Sequence, residues 1–524
     1  MQKTLLSLVF SLFTFIFLSA QQPKKLNSSQ IYEAVQKLNF LGSVLYVAAH
    51  PDDENTRLIS YMSNHIKART AYLSLTRGDG GQNLIGPELR ELLGVIRTQE
   101  LLAARRVDGG EQLFTRANDF GYSKHPDETL SIWNKDDVLS DVVWAIRTFK
   151  PDIIINRFDH RTPGRTHGHH TSSAMLSVEA FDLSNNKNIY TEQLEDTELW
   201  QPKRLFFNTS WWFYGSQENF EKADKSNMLE FDIGVYYPEK GLSNNEVAAI
   251  ASSQHLCQGF GRLSQRGSQK EYVEFLKGEK PKTDNIFDGI DTSWNRIDGG
   301  NTIENILKPI EENFNFKDPS AHLPELIKAY KLINKLKNKH WKTQKSKEIK
   351  AIIEACAGLY LEASARTSYA TKNSDIEMSI EALNRSNAEI VLKSISNWNG
   401  TSFGKNINLS NNKKVTFTEK YHIASDEEYS SPYWLNEKGT LGMYTVKKSS
   451  LIGKPETPKE INIDFNIEIE GVPITITKNV VYRYSEPDKG ELYKPFDVLP
   501  KVTVKMTDDV YIFNTILSGR YCYA

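Results

Sequence analysis

The apolar run Val44-Leu45-Tyr46-Val47-Ala48-Ala49 stops abruptly on His50, Pro51, Asp52, Asp53 and Glu54. Its length suits a strand buried on both faces, and residues 55–66 then repeat apolar side chains at helical spacing, at Leu58, Ile59, Met62 and Ile66. The pattern predicts a strand-to-helix turn carrying the polar cluster. In open α/β sheets, ligands collect beyond the carboxyl ends of strands, where helix N-termini also offer free N–H groups. On either side of this stretch the same alternation continues. Helices are predicted over residues 28–40, with Ser28 or Ser29 as cap, over 87–107, with Pro87 in the first turn and Gly109-Gly110 at the end, and over 136–148. Strands are predicted over residues 70–75 and at Ile153-Ile154-Ile155. The strand at 153–155 leads into a second polar cluster, which includes Asp159, His160, His167, Gly168, His169 and His170, followed by a helix over 172–181. Further strands are predicted over 205–208 and 229–236 and a helix over 245–256.

This alternation predicts an α/β fold with a Rossmann-like, mostly parallel sheet over residues 26–300. Over residues 301–399 the pattern changes to lysine-rich helices with apolar stripes such as Leu326, Ile327, Tyr330, Ile333 and Leu336. From residue 400 to 524 it becomes β. Ile461, Ile463, Phe465, Ile467 and Ile469 alternate without a break, and a last strand is expected at 510–513, so this part reads as an Ig-like sandwich.

A chain of 524 residues exceeds one ordinary domain, consistent with this partition. A formal net charge of −2 leaves no cationic surplus for phosphate backbones, which argues against nucleic acid as a partner. Residues 1–20 place Lys3 ahead of an apolar run over 5–18 that ends in Ser19-Ala20, the layout of a cleaved secretory signal. The run is shorter than the ~20 apolar residues a span needs. The expectation is cleavage after Ala20, a secreted or periplasmic protein, and no stable membrane anchor. Export permits disulfides, but Cys257, Cys356 and Cys522 are only three and far apart, so no disulfide framework is expected, and Cys356 falls on an apolar helical stripe.

The two polar clusters carry the chemistry. His50 and Asp53, three apart on a turn, together with a histidine from the second strand end, would place nitrogen and oxygen ligands on one side of a metal ion. Three protein ligands and a water make a common catalytic zinc site. Asp52 lies beside these ligands on a turn stiffened by Pro51, and its natural role is that of a base. The bland alternatives are a satisfied strand-end histidine, carboxylates capping a helix, and a surface run of histidines. The loop Arg77-Gly78-Asp79-Gly80-Gly81 lacks the spacing of a dinucleotide site.

Ala49-His50-Pro51-Asp52-Asp53-Glu54 resembles the signature of the PIG-L/LmbE family of metal-dependent de-N-acetylases, and His167-Gly168-His169-His170 resembles its second motif, usually His-Pro-Asp-His. Thr76-Arg77-Gly78-Asp79-Gly80-Gly81 and Arg97-Thr98-Gln99-Glu100 are similar to further family segments, and the similarity spans about residues 42–265. The resemblance implies an LmbE-like fold and zinc held by His50, Asp53 and His170, with Fe2+ as the other candidate metal. It also implies Asp52 as general base, His167 as oxyanion stabiliser or acid, and Arg97 as a substrate contact. The implied reaction is hydrolysis of a linear amide, releasing acetate from an N-acetylated amino sugar or glycan. The run Trp211-Trp212-Phe213-Tyr214 would offer a sugar-stacking face through Trp211 and Trp212. His169 departs from the family pattern, standing where aspartate is usual, and could act as a hydrogen-bond partner or an extra ligand. His160 is a further candidate near the site. Two rivals fit some of these features. Two histidines and a carboxylate also describe a non-haem iron oxygenase site, and a secreted carbohydrate-binding protein could retain an inactive metal site.

Overall fold

The computed structural model describes residues 25–504. The apolar run over 5–18, the strand expected at 510–513 and Cys522 lie outside the described residues. Seven strands form the main sheet: β1 (Ser43–Ala48), β2 (Arg69–Ser74), β3 (Glu111–Phe114), β4 (Ile153–Asn156), β5 (Arg204–Thr209), β6 (Met228–Asp232) and β7 (Lys270–Gly278). Their order is β3-β2-β1-β4-β5-β7-β6. The first five strands are parallel, and β7 runs antiparallel to both β5 and β6.

The unbroken apolar runs follow from burial on both faces. Leu45 and Val47 of β1 share one cluster with Leu73, Ile154 and Leu205 and with helical residues such as Val142, Ile146 and Leu176. Val44, Tyr46 and Ala48 point the other way, to a cluster with Tyr72, Ile155, Phe206, Leu58 and Leu101. Each fully buried aliphatic side chain of this kind contributes about 1.5–3 kcal/mol. Helix α1 (Ser28–Leu38) packs in a separate apolar cluster, and the helices covering the sheet include α2 (Thr56–Ser60), α3 (Glu91–Asp108), α4 (Pro126–Trp133), α5 (Lys135–Phe149) and α6 (Gly168–Leu183).

Several local expectations are corrected. Asn27, not Ser28 or Ser29, caps α1, through a capping box with Gln30. Asn55 caps α2, its side chain accepting from Arg57 and Leu58 N–H, so the carboxylates before it are free of that duty. After Ser60 the helix widens into a π turn over Tyr61–His65. Helix α3 starts beyond Pro87, after Arg90 at φ 51, and ends as expected on Gly109 at φ 82.

The helical reading of residues 301–399 holds only for its first half. Helices at Gly300–Glu312, Leu323–Ile333 and Lys339–Cys356 give way to strands at Tyr360–Ala365, Ser374–Leu383 and Ile390–Asn397. Within Ser374–Leu383 the glutamates, Met378, Ala382 and Leu383 favour helix, but Ile376, Met378, Ile380 and Ala382 are buried with period two, and that periodicity wins. These strands join later ones in a five-stranded and a four-stranded sheet, which share one apolar cluster with α1 and the three helices. Cys257 and Cys356 are buried and, among the described residues, form no disulfide. Among the described residues, no helix is long and apolar enough to cross a membrane.

Candidate metal centre and cavity

Strands β1 and β4 are parallel neighbours at the centre of the sheet, and the chain leaves them for opposite sides, toward β2 and β5. That is a topological switch point, where a crevice opens beyond the strand ends. His50 to Glu54 leave β1 there. The loop after β4 returns to the same place at His167, whose Nδ1 accepts from His169 N–H at 3.1 Å and caps α6.

Asp53 joins the two clusters. Its Oδ2 lies 3.0 Å from His50 Nδ1 and its Oδ1 3.3 Å from His170 Nε2. Burial would raise its pKa, but His170 and His50 outweigh burial and hold the carboxyl well below its usual range. The His170 ring stacks flat on Phe158, centroids 3.8 Å apart. Two donor sets gather within 4.8 Å: His50, Asp53 and His170, and His50, His167 and His169. They differ in access. His169 is fully buried, its ring set against Phe120 and Trp133, whereas Asp53 and His170 line a cavity of 1050 Å³. A mixed nitrogen and oxygen set open to a cavity fits a catalytic metal that keeps a position for water. In that arrangement His50 Nε2, 2.9 Å from His169 Nδ1, is left for the buried partner. His169 is thus placed to hydrogen-bond His50 rather than to face the cavity.

Asp52 is held in a conformation few residues adopt, with φ 103. Two anchors over-determine it. Its N–H donates to Glu54 Oε2 at 2.9 Å, and its Oδ1 meets Arg97 Nη2 at 2.9 Å. Arg97 also donates to Pro51 O and, at 3.1 Å, to Gly78 O. Glu54 is fixed in turn by His255 Nε2 at 2.8 Å and Arg105 Nη2 at 3.1 Å. Burial would raise Glu54, yet His255 and Arg105 bring it down to about 2. For Asp52 burial prevails over Arg97, and its carboxyl is raised to about 6.

The structure brings together His50, Asp52, Asp53, His167 and His170, and it places Trp211 and Trp212 on the cavity wall, each about half exposed. Arg97 does not line the cavity: it is buried at 3% exposure and touches Asp52. His167 is not a cation at neutral pH, because burial and then His50 and His170 lower it to about 4. His160 belongs to neither donor set. Sequence reasoning missed His255 and Asp119, whose Oδ2 is 4.0 Å from His50 Nε2. Both reach the site from distant loops with no motif around them. Glu54 stands in the first motif, where the sequence offers helix capping only as a bland alternative and assigns it no other role.

The fold and the donor set define an α/β protein with a candidate catalytic metal centre at the switch point of its sheet. Residues 45–181 match the family model PIG-L (GlcNAc-PI de-N-acetylase), a match that supports a deacetylase of that family over this part of the chain. No curated protein matches the chain. Among solved structures, it is similar to an N,N'-diacetylchitobiose deacetylase from Pyrococcus horikoshii, with 18% identity, TM-score 0.30, and coverage of 40% of this chain and 70% of that one. It is also similar to GalB, a 4-carboxy-2-hydroxymuconate hydratase from Pseudomonas putida, with 14% identity, TM-score 0.31, and coverage of 46% and 99%. At these levels the two neighbours decide nothing about chemistry.

Proposed function

We propose that this chain is a metal-dependent de-N-acetylase that hydrolyses the N-acetyl group of an amino sugar or glycoconjugate, acting outside the cytoplasm after export, with zinc as its metal. The observation that carries the reading is the placement of Asp52, strained and doubly anchored, beside an open His50, Asp53 and His170 set at the cavity. An ion held by these three residues would supply Lewis-acid polarisation of the acyl carbonyl and a water whose pKa falls to about 7.

The chain's own groups do the proton work. Arg97 holds Oδ1 of Asp52, which leaves Oδ2 to take a proton as water attacks the acyl carbon. Raised to about 6, Asp52 is ionised at neutral pH and is a stronger base than an ordinary carboxylate. It then returns the proton to the departing nitrogen as the C–N bond breaks, giving acetate and a free amine. His167 Nδ1 accepts from a backbone N–H, so the neutral ring carries its proton on Nε2, a donor for the developing oxyanion. One such donor contributes about 3–4 kcal/mol. Trp211 and Trp212 offer the sugar a stacking face. The two C-terminal sheets are our candidates for a sandwich-like module beside a catalytic unit that ends near residue 300.

The test is acetate release from N-acetylated monosaccharides, oligosaccharides and glycoconjugates before and after chelation, with zinc restored. Chelator-sensitive release rescued by zinc is expected. No release from any member by zinc-loaded protein would refute the reading.

A further inference from the structure

Residues 433–456, between the strands Val415–Ile423 and Asn462–Ile469, cross the α/β domain over two of its loops. One is the Gly-rich loop 76–81, which the reaction above does not use. Arg77 of this loop is fully buried, and its guanidinium donates to Lys454 O at 3.1 Å, Pro455 O at 3.0 Å and the Tyr433 hydroxyl at 3.3 Å, with the Trp434 ring 3.4 Å away. Asp79 of the same loop accepts from the Tyr444 hydroxyl. The other loop is 115–122. Ala117 pairs with Met443 as in an antiparallel sheet, Tyr444 N–H donates to Arg116 O at 2.8 Å, and Asn118 N–H donates to Gly442 O at 2.9 Å. Met443 joins the apolar cluster of Trp133. The approach is close, since a Cβ on Gly442 would lie 2.0 Å from Ile132 O.

Both loops end at the site. Gly78 O holds Arg97, which holds Asp52. Asp119 stands 4.0 Å from His50 Nε2 and 3.8 Å from His169 Nδ1, Phe120 packs on His169, and Tyr122 packs on His167. We propose that residues 433–456 are a strap that positions these two loops, with Gly442 and Tyr444 as positioning residues, so that the metal centre is complete only when the C-terminal strands are in place. Gly442 acts through 116–119 on the His50–His169 pair, and Tyr444 acts through 77–79 on Arg97 and Asp52. The inference rests on the metal-site reading above, and two of its readouts do not require turnover.

The experiment uses the full chain with Gly442→Ala, Tyr444→Phe and, as control, Leu441→Ala, whose side chain is exposed. Zinc affinity is measured by competition with a chromophoric chelator, amide exchange is followed over 76–81 and 115–122, and kcat and KM are measured on the best substrate. Gly442→Ala is expected to weaken zinc about 10–100-fold, as loss of a ligand's supporting shell does, and to speed exchange over 115–122. Tyr444→Phe is expected to keep zinc affinity, speed exchange over 76–81 and lower kcat about 10–100-fold at nearly constant KM. Leu441→Ala should match the native protein in every readout. Native zinc affinity in Gly442→Ala with native exchange over 115–122 overturns the strap, whatever happens to melting temperature. If Gly442→Ala does not fold, native exchange over 76–81 in Tyr444→Phe overturns it. A native protein that binds zinc but releases no acetate would fail the deacetylase reading and leave the zinc and exchange comparisons standing as the test of the strap.

Discussion

Asp79→Asn is expected to stabilise the protein, and to do so increasingly as pH rises from about 4 to 8. Asp79 is 4% exposed on the loop after β2, with Oδ1 accepting from Tyr444 and Oδ2 without a partner. The charged or titratable groups facing it are Tyr444, Asp119 and Arg77. Burial raises its pKa most, Asp119 adds to the rise, and the Tyr444 hydrogen bond and Arg77 oppose it, leaving the carboxyl at about 7. The folded state therefore keeps a proton that the unfolded chain releases above 3.8. Stability from this group is full below that value and is lost as pH climbs through about 7. From 3.8 to about 7, at about 1.36 kcal/mol per pH unit, ionisation costs roughly 4 kcal/mol. Asparagine keeps the shape and an acceptor for Tyr444 but carries no charge to bury. With about 2–4 °C per kcal/mol for a domain of this size, the variant should melt roughly 8–16 °C above the native protein at pH 8, with the gap closing toward pH 4. Differential scanning fluorimetry across that range reads the gap directly. A gap independent of pH would refute the reasoning, and a variant less stable at pH 8 would mean that Asp79 is ionised and stabilised by Arg77.

Three further outcomes are expected. Asp52→Asn should retain zinc by competition titration while kcat falls about 10²–10⁴-fold, the usual contribution of a general base; full turnover would remove Asp52 from the mechanism. His169→Ala takes the partner from His50 Nε2 and should weaken zinc about 10–100-fold in the same titration. Trp212→Ala should raise KM for glycan substrates with kcat little changed, and an unchanged KM in a folded protein would exclude sugar stacking at that wall.

The parallel part of the sheet and the first motif were legible because they are local. An unbroken apolar run needs burial on both faces, and β1 and β4 have it. The same logic failed at the edge strand β3 and at β7, whose sequences Glu-Gln-Leu-Phe and Lys-Glu-Tyr-Val-Glu-Phe-Leu-Lys-Gly mix charge with apolar residues. It failed again over 360–397, where helix-favouring residues sit in strands. His50, Asp53 and His170 could be read from spacing and resemblance. Arg97 could not be placed, because whether a helical arginine faces solvent or a neighbouring carboxylate depends on how α3 packs. His255 and Asp119 act only through folding of distant segments, and nothing near them in the chain marks them.

The span between Arg77 or Asp79 and the strap also has a consequence in time. Asp79 and Tyr444 are 365 residues apart in the chain. At a ribosomal rate of about 5–20 residues per second, roughly 20–70 s pass between their syntheses. Until the later segment arrives, the guanidinium of Arg77 has water in place of Lys454, Pro455 and Tyr433, and the cluster around Trp133 lacks Met443. The first half of this protein is thus synthesised well before the last third that completes its contacts, and a holding chaperone would suit such a chain.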